Sequence, residues 1–573
     1  MNSLASITFA RRVSMALAAI AGIAFTVACG SGGSAVVHNT IGFSNSSFSG
    51  TYVISISGTD VNSSKQPVPF AIVGTVQPNG SGGFNGGTLD IIDPLNTGVN
   101  LAQALGSNSS YSVGSDGRST GSLVTPVATF TVDFVLSSTS GGLISIFNSG
   151  ATGSGTIDLQ TATTQSSLPS ALAFSFSGAD SSGDPLATVG AFPLNSSGTI
   201  TSGGTQDIND DNSSSPSNGT TGVAITGGSV TLNSAGTSGT ATITNASGNS
   251  QFSSLAFNVW VIDSTHLKFD ETDKVNILSG DAYTQQTSFP TGQIVFTLGG
   301  QDNGGAPFVA GGFATAAASG NLSDGLEDYN DTATANSVPT FTATATNNGA
   351  GRYELATIGF TNVTNSNLSF AAYPSSGGVL MLENDSTGLA VGAAMTQSAT
   401  ALNTSGGYAL NLTGVNVNLG AFSPGEVDDI GQFDPGTPDT SSSGAVNMSG
   451  NLDENDLGTT PATGTLQGVY VPDTTPDGRG SIVSTNKGTL LGGFTLQYYV
   501  VDSSTVLFID VDSQSVLDSN AAQIAIGVFE TQSTPGAAAA RRAMFMVHPV
   551  TRSRGAASHG VTNLERPTKY TAK

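Results

Sequence analysis

Four short acidic motifs recur in the chain, and each places two aspartates three residues apart. They are Asp90-Ile91-Ile92-Asp93, Asp207-Ile208-Asn209-Asp210, Asp328-Tyr329-Asn330-Asp331 and Asp453-Glu454-Asn455-Asp456. Carboxylate and amide oxygens are ligands that Ca²⁺ prefers, so the candidate calcium ligands are Asp90, Asp93, Asp207, Asp210, Asp328, Asp331, Asp453 and Asp456. No motif follows the EF-hand loop, and Asp and Asn are also common turn residues because their side chains bond the local backbone. We therefore favour turns over metal sites and predict no cofactor.

A recurring glycine turn carries an arginine in three of its four copies. The copies are Asp116-Gly117-Arg118, Ala235-Gly236-Thr237, Ala350-Gly351-Arg352 and Asp477-Gly478-Arg479. A guanidinium at such a position suits a ligand carboxylate or phosphate. The replacement by Thr237 argues against a binding function that all copies share. We therefore expect Arg118, Arg352 and Arg479 to form structural ion pairs within their own modules, with the acidic motifs as candidate partners.

Histidine and cysteine are too scarce for most hydrolase or zinc chemistry. The histidines are His38, His266, His548 and His559, and Cys29 is the single cysteine. Only His266 lies inside the repeats, in a strand-like run where we expect partial exposure, so a Ser-His-Asp triad could form at most once. Zinc sites need His/Cys clusters that the sequence lacks. A carboxylate pair for glycoside cleavage stays open, but four near-equal copies predict a protein that is not an enzyme.

The elements that would position these residues are four copies of one β-rich module. Gly accounts for 74 of 573 residues, hydrophobic residues for 38% and charged residues for 10%. Each copy opens with apolar residues at every second position, which is the pattern of a strand with one buried face. The openings start at Tyr52, Leu172, Ile294 and Tyr408, spaced 120, 122 and 114 residues apart. A repeat this long predicts a separate domain for each copy rather than a solenoid unit.

The predicted fold class is all-β, with four tandem antiparallel β-domains. About seven to nine short strands per copy, joined by short turns, favour a meander of antiparallel neighbours. Up-and-down barrels would remove the open edges of such strands, and two-sheet β-sandwiches satisfy the same pattern. The predicted β-repeats are 43–161, 168–287, 289–398 and 403–533. A signal peptide (1–28), a Gly/Ser spacer (29–42) and a basic tail (534–573) complete the chain.

The N-terminus combines a basic pair, Arg11 and Arg12, with an apolar run that ends at Thr26-Val27-Ala28-Cys29-Gly30. This region resembles the lipobox of bacterial lipoproteins, in which the cysteine is acylated and becomes the first residue of the mature chain. The resemblance implies a signal peptide, lipid attachment (palmitate among the acyl chains) at Cys29, and membrane anchoring. Gly30 in place of an inner-membrane-retaining Asp implies the outer membrane. An ordinary cleaved signal and an uncleaved anchor are the alternatives.

Charge is distributed unevenly along the chain. Residues 30–533 contain 39 acidic and 7 basic residues, whereas the last 39 residues contain seven basic residues and one acidic residue. The acidic body excludes nucleic acid as an expected partner. An Ala/Arg/Ser/Gly composition predicts a disordered tail more than an anionic-surface site.

The repeats also resemble a class of tandem β-repeat envelope lipoproteins of soil-dwelling Gram-negative bacteria. Members share a G-x-Y-x-F-x-L-x-G opening strand and a D-G-x-G-R turn, and the resemblance covers residues 43–533. The class carries no established activity. We expect a lipid-anchored protein, facing the cell surface (extracellular) or the periplasm, with multivalent binding to a surface, glycan or protein partner, or a structural role. The alternatives are a polysaccharide-acting envelope enzyme with one acidic cleft, or a small-ligand carrier with barrel cavities.

Overall fold

The computed structural model describes residues 42–210, 220–249, 251–274, 276–302, 305–331, 339–362, 365–416, 425–438, 445–473, 475, 477–484, 494–511 and 523–533. The predicted signal peptide, the lipid-attachment residue Cys29, the spacer up to residue 41 and the basic tail lie outside this part. In the described part no helix is long and apolar enough to cross a membrane.

The first two modules consist of antiparallel strands. Module 1 contains β1 (Tyr52–Val61), β2 (Pro67–Pro78), β3 (Phe84–Asp93), β4 (Gly98–Ala104), β5 (Ser110–Val113), β6 (Arg118–Val124), β7 (Thr129–Ser138), β8 (Gly141–Asn148) and β9 (Ala151–Leu159). Module 2 contains β10 (Ala171–Ala179), β11 (Pro185–Pro193), β12 (Gly204–Asp210), β13 (Thr220–Leu232), β14 (Ser238–Asn245), β15 (Ser254–Asp263), β16 (His266–Glu271) and β17 (Ile277–Thr284). Short 3-10 turns at Asn45–Ser47 and Gln165–Ser167 precede the two modules.

The last two modules repeat this arrangement. Module 3 contains β18 (Gly292–Asp302), β19 (Pro307–Ala316), β20 (Leu322–Asn330), β21 (Thr340–Asn347), β22 (Tyr353–Ile358), a small hairpin of β23 (Thr361–Asn362) and β24 (Asn365–Ser366), β25 (Ser369–Ser375), β26 (Gly378–Glu383) and β27 (Gly388–Thr396). Module 4 contains β28 (Tyr408–Asn416), β29 (Gly425–Pro438), β30 (Val446–Asp456), β31 (Ala462–Pro472), β32 (Arg479–Ser484), β33 (Thr495–Val500), β34 (Thr505–Asp510) and β35 (Gln523–Thr531).

Modules 2, 3 and 4 are closed eight-stranded meander barrels, which confirms the predicted all-β tandem fold. In each, the first strand pairs with the second and with the last, as in the register Phe176↔Thr188 and Phe176↔Gly280. Module 1 is instead a nine-stranded sheet with β4 and β5 at its edges. Where module 2 has the single long strand β13, paired with both β12 and β14, module 1 splits the segment into β4, which pairs with β3, and β5, which pairs with β6.

Side chains fill the inside of each module. In module 2, four rings lie in face or edge contact with centroids 4.7–5.6 Å apart, namely Phe174, Phe176, Phe257 and Phe269. Comparable apolar clusters occupy the other three modules. Alternation along the strands therefore directs one apolar row inward, and burial of that row stabilises each module.

The four modules form a closed ring within one compact unit. The first three strands of one module lie against the last three strands of the next: β1–β3 on β15–β17, β10–β12 on β25–β27, β18–β20 on β33–β35, and β28–β30 on β7–β9. These are head-to-tail contacts, and the last of them returns from module 4 to module 1. We call the four contacts joint 1–2, joint 2–3, joint 3–4 and joint 4–1.

An apolar cluster made by outward-facing side chains holds the ring together. It includes residues of every module, for example Leu143, Val189, Leu382 and Ile526, each at most 4% exposed. Strands at the joints are consequently buried on both faces, as in the continuous buried run of β28. The sequence predicted one buried face for the opening strands, whereas in β28 the second face is buried as well and includes the polar residues Asn411 and Thr413.

Candidate functional site

The acidic motifs lie on the third strand of each module, where alternation separates their two aspartates. In module 2, Ile208 packs in the barrel interior, whereas Asp207 and Asn209 contact module 3. Residues three apart on a strand point to opposite faces, so Asp207 and Asp210 do not converge on one ion. Within the described ranges, no group of three or more His, Cys, Asp or Glu side chains could hold a metal ion.

At joint 2–3 the first aspartate of the motif receives an arginine from the next module. Arg352 donates from Nε to Asp207 Oδ2 at 2.8 Å and from Nη2 to Oδ1 at 2.7 Å. The hydroxyl of Tyr373 donates to Asp207 at 2.5 Å. The Arg352 and Asp207 side chains are only 4% and 1% exposed, so a two-pronged, charge-assisted pair forms without solvent. Although burial opposes it, the Asp207 carboxylate raises the pKa of Arg352.

Joints 3–4 and 4–1 repeat this ion pair. Arg479 donates to both oxygens of Asp328 at 2.8 and 2.6 Å, with the Tyr499 hydroxyl on the same carboxylate. Arg118 Nη2 lies 2.7 and 2.6 Å from the two oxygens of Asp453. Arg352 and Arg479 also pair with acids of their own modules.

The expected ion pairs within one module are present for Arg352 and Arg479, but the candidate partners, the acidic motifs, belong to a different module from the arginines that bind them. Because the motif faces the following module, the arginines of modules 1, 3 and 4 meet the motifs of modules 4, 2 and 3. The ion pairs with the acidic motifs therefore join neighbouring modules.

The third residue of the motif makes another contact between modules. Asn209 donates its amide to the carbonyls of Glu383 and Gly388, both at 2.9 Å. Asn330 and Asn455 do the same at the next two joints, with acceptors Asp510, Gln523, Ile146, Asn148 and Ala151. Each asparagine thus satisfies carbonyls at the end of the neighbour's last hairpin.

The glutamine that closes each module forms the third repeated contact. Gln160, Gln285, Gln397 and Gln532 donate their amides to turn or strand carbonyls of the following module. The next backbone N–H adds a bond, from Thr161 to Ile262 at one joint and from Ser533 to Ser137 at joint 4–1. Joint 4–1, whose modules are not joined by a peptide linker, therefore has the same closing-glutamine contact as the covalently linked joints.

The turn glycines are required at these contacts. Gly117, Gly236, Gly351 and Gly478 have φ of 85°, 67°, 75° and 90°, a region that favours glycine. A Cβ on Gly117, Gly351 or Gly478 would lie within 2.6 Å of the closing glutamine, and one on Gly236 would lie 1.8 Å from the Thr163 carbonyl oxygen. The last residues of the preceding module consequently pack directly against the glycine turn.

Within the described residues, joint 1–2 has neither the arginine–aspartate ion pair nor the asparagine contact of the other three joints. Thr237 stands in place of the arginine, and Ile92 stands in place of the asparagine and packs with Ala179 and Ile277. Asp90 keeps its place but accepts hydrogen bonds from Asn258 Nδ2 and the Ala102 backbone N–H, both at 2.6 Å. This joint is therefore held mainly by apolar packing and hydrogen bonds.

A cavity of about 530 Å³ lies at joint 1–2, and its lining includes Asp90, Thr237, Asn258 and Trp260. Behind it, Trp260 Nε1 donates to Asp270 Oδ1 at 2.8 Å. Burial and the nearby Asp90 carboxylate raise the pKa of Asp270 well above its usual range. A second cavity, of about 350 Å³, lies near the start of module 3 beside Gln286 and Gly377 and contains no charged lining residue.

His266 also lies on an outward-facing row of module 2. Its ring stacks on Tyr283, and its Nε2 lies 2.6 Å from Asp281, which also accepts from Lys268 at 2.8 Å. Lys268 and His266 outweigh burial and lower the pKa of Asp281. His266 is only 6% exposed, whereas the sequence predicted partial exposure. The difference arises because the ring of modules buries this face of the strand.

Module 4 buries acidic side chains that predict an unusual pH dependence. Burial and Asp456 raise the pKa of Glu454 to about 8, and burial raises that of Asp456 to about 7. Because these folded-state values exceed those of the unfolded chain, their stabilisation is complete below about pH 4 and is lost as the pH rises through about 7 to 8. We expect the urea midpoint to be higher at about pH 5 than at about pH 8, with a smaller difference in Asp456→Asn. A midpoint that rises towards pH 8 would contradict this.

Comparison with known proteins names no family. No protein-family model and no curated protein matches the chain. Among solved structures, a transferrin-binding protein B variant from Haemophilus parasuis is 11% identical over 70% of this chain and 83% of its own, with a TM-score of 0.16. CdiB from Acinetobacter baumannii is 8% identical over 84% of this chain and 59% of its own, with a TM-score of 0.10. With TM-scores this low, neither structure indicates the function of this chain.

Proposed function

We propose that this protein is a lipid-anchored, non-enzymatic binding or scaffolding component of the bacterial cell envelope, tethered through Cys29. The observation that carries the proposal is the closed ring, in which three kinds of repeated contact fix the modules to one another. A ring of this kind holds corresponding outer strands in fixed positions, and multiple weak contacts made by such strands gain avidity. The partner is proposed to be a glycan or protein of the envelope or its surroundings.

The strands that no neighbouring module covers present rows of uncharged hydroxyls. On β14 the exposed residues are Thr240, Thr242 and Thr244. On β21 they are Thr340, Thr342, Thr344 and Thr346. Hydroxyls both donate and accept hydrogen bonds, so such rows suit a neutral polar surface such as a glycan.

The two alternative functions receive less support. A carrier with ligands inside its barrels needs internal space, whereas aromatic and aliphatic side chains occupy the module interiors. An enzyme needs one acidic cleft, and the joint 1–2 cavity is the candidate. There, however, both oxygens of Asp90 accept hydrogen bonds from the protein, which suits recognition of positive charge better than proton transfer.

Protease shaving of intact cells tests the proposal. Peptides from all four modules released without lysis would support a surface role, and protection until the outer membrane is broken would support a periplasmic scaffold. A Cys29→Ser variant is the control, and we expect it to leave the membrane fraction. Retention of this variant in the membrane would contradict lipid anchoring.

A further inference from the structure

We propose that the cavity at joint 1–2 binds the guanidinium group of a small cationic ligand. This goes beyond the proposed envelope role and does not depend on it. Three joints place a guanidinium on the first aspartate of the acidic motif. Joint 1–2 keeps that aspartate, Asp90, but supplies Thr237 where the other modules supply arginine.

Asp90 is a buried carboxylate with no cation beside it. It is 1% exposed, and its hydrogen bonds come from the neutral Asn258 amide and the Ala102 backbone. Among the described ion pairs, none involves Asp90. A buried carboxylate without a counter-charge is costly, so a ligand that brings a positive charge is favoured at this position.

A second acid, Asp270, lies behind the cavity. It is completely buried, its Oδ1 accepts the Trp260 indole N–H, and its side chain lies beside that of Asp90. Burial and the nearby Asp90 carboxylate raise the pKa of Asp270 well above its usual range, which favours its neutral form. A planar cation with several N–H donors in the cavity would pair with Asp90 in the way that Arg352 pairs with Asp207.

The space and its walls fit a ligand the size of an arginine side chain or somewhat larger. The cavity of about 530 Å³ falls within the range of small-molecule sites. Trp260 offers an aromatic face, against which a guanidinium is attracted. Polar side chains on the remaining wall include Thr51, Gln77 and Thr240, which can bond the rest of the ligand.

Trp260 is also the only tryptophan in the chain, so its fluorescence and its indole N–H resonance report from this cavity alone. Ethylguanidinium titrated into the full-length protein is expected to change both signals saturably. Ethylurea, which has the same shape without the charge, is expected to leave them unchanged. Equal responses to both probes, or none to either, would overturn the proposal, as would equal affinity for ethylammonium.

Two variants locate the site. Thr237→Arg supplies the guanidinium from the protein, as at the other joints, and is expected to weaken ethylguanidinium binding at least about tenfold. The control Thr242→Arg adds the same charge at an exposed position of β14, five residues further along the chain and outside the cavity, and should bind as the wild type does. Asp90→Asn should also weaken ethylguanidinium binding at least about tenfold. This variant tests the proposal even if Thr237→Arg does not fold. Unchanged binding in Asp90→Asn would refute the proposal.

Discussion

Replacing Asp207 by asparagine is expected to lower the free energy of unfolding by about 3–5 kcal/mol, because it leaves a buried guanidinium without its counter-charge. Asparagine has nearly the same shape as aspartate, so the lost free energy of unfolding measures the effect of charge rather than of packing. Arg352 would retain only the partly exposed Glu354, 3.3 Å away, and Tyr373 would lose a carboxylate acceptor at 2.5 Å. Urea unfolding followed by circular dichroism measures the change.

The matched control is Asp90→Asn, the same substitution at the equivalent position of module 1. Among the described ion pairs none involves Asp90, so the substitution leaves no guanidinium without its counter-charge and removes a buried carboxylate that has no cation beside it. We therefore expect Asp90→Asn to be neutral or stabilising in the absence of ligand. Equal destabilisation by the two substitutions would show that the ion pair at joint 2–3 contributes nothing specific.

The double variant Asp207→Asn with Arg352→Met separates the ion pair from the rest of the joint. Removing both charges avoids the stranded guanidinium, so the double variant is expected to be more stable than Asp207→Asn alone. Hydrogen exchange at β12 and β25, which face each other at this joint, would show whether the loss is local. A double variant as unstable as the sum of both single losses would indicate that the two side chains do not interact.

The strands and their grouping into four modules could be predicted from sequence because alternation and turn glycines are local signals. The opening strand at Tyr408 illustrates this, since its period of two sets one face inward whatever surrounds it. Closure of the sheets, and the split of module 1 into β4 and β5, depend on pairing between distant strands and left no such signal.

The partners of the arginines could not be assigned from the repeat pattern alone. Four similar copies offer Arg352 four similar aspartates, and nothing local distinguishes Asp328 of its own module from Asp207 of the preceding one. The positions that depart from the repeat do indicate which modules face each other. The missing arginine, at Thr237, is in module 2, and the missing asparagine, at Ile92, is in module 1. Exceptions in adjacent copies indicate that the two positions face each other across a joint.

The ring also predicts that joining its ends will stabilise the protein strongly. Phe43 and Gln532 lie at opposite ends of the described chain, yet both contact the space beside Gly117. Phe43 N–H donates to Ser115, and Ser533 N–H donates to Ser137 in the same module. A peptide bond from Ser533 to Phe43 would place Tyr52 11 positions after Gln532, the spacing that Gln397 and Tyr408 have at joint 3–4.

A backbone-cyclised variant of residues 43–533 is therefore expected to unfold with a free energy about 5 kcal/mol higher than its linear form, because closing so long a loop removes entropy from the unfolded chain. Opening the cyclised variant between the exposed residues Thr287 and Ser288 should return the stability to within about 1 kcal/mol of the linear form. That circular permutant retains every joint and exchanges one linker for another. If joint 4–1 did not form, cyclisation would strain the chain and lower the urea midpoint, and the permutant would assemble into dimers. If joint 4–1 is equivalent to the covalent joints, the cyclised variant has a higher free energy of unfolding than the linear form. The circular permutant then keeps the free energy of unfolding of the linear form.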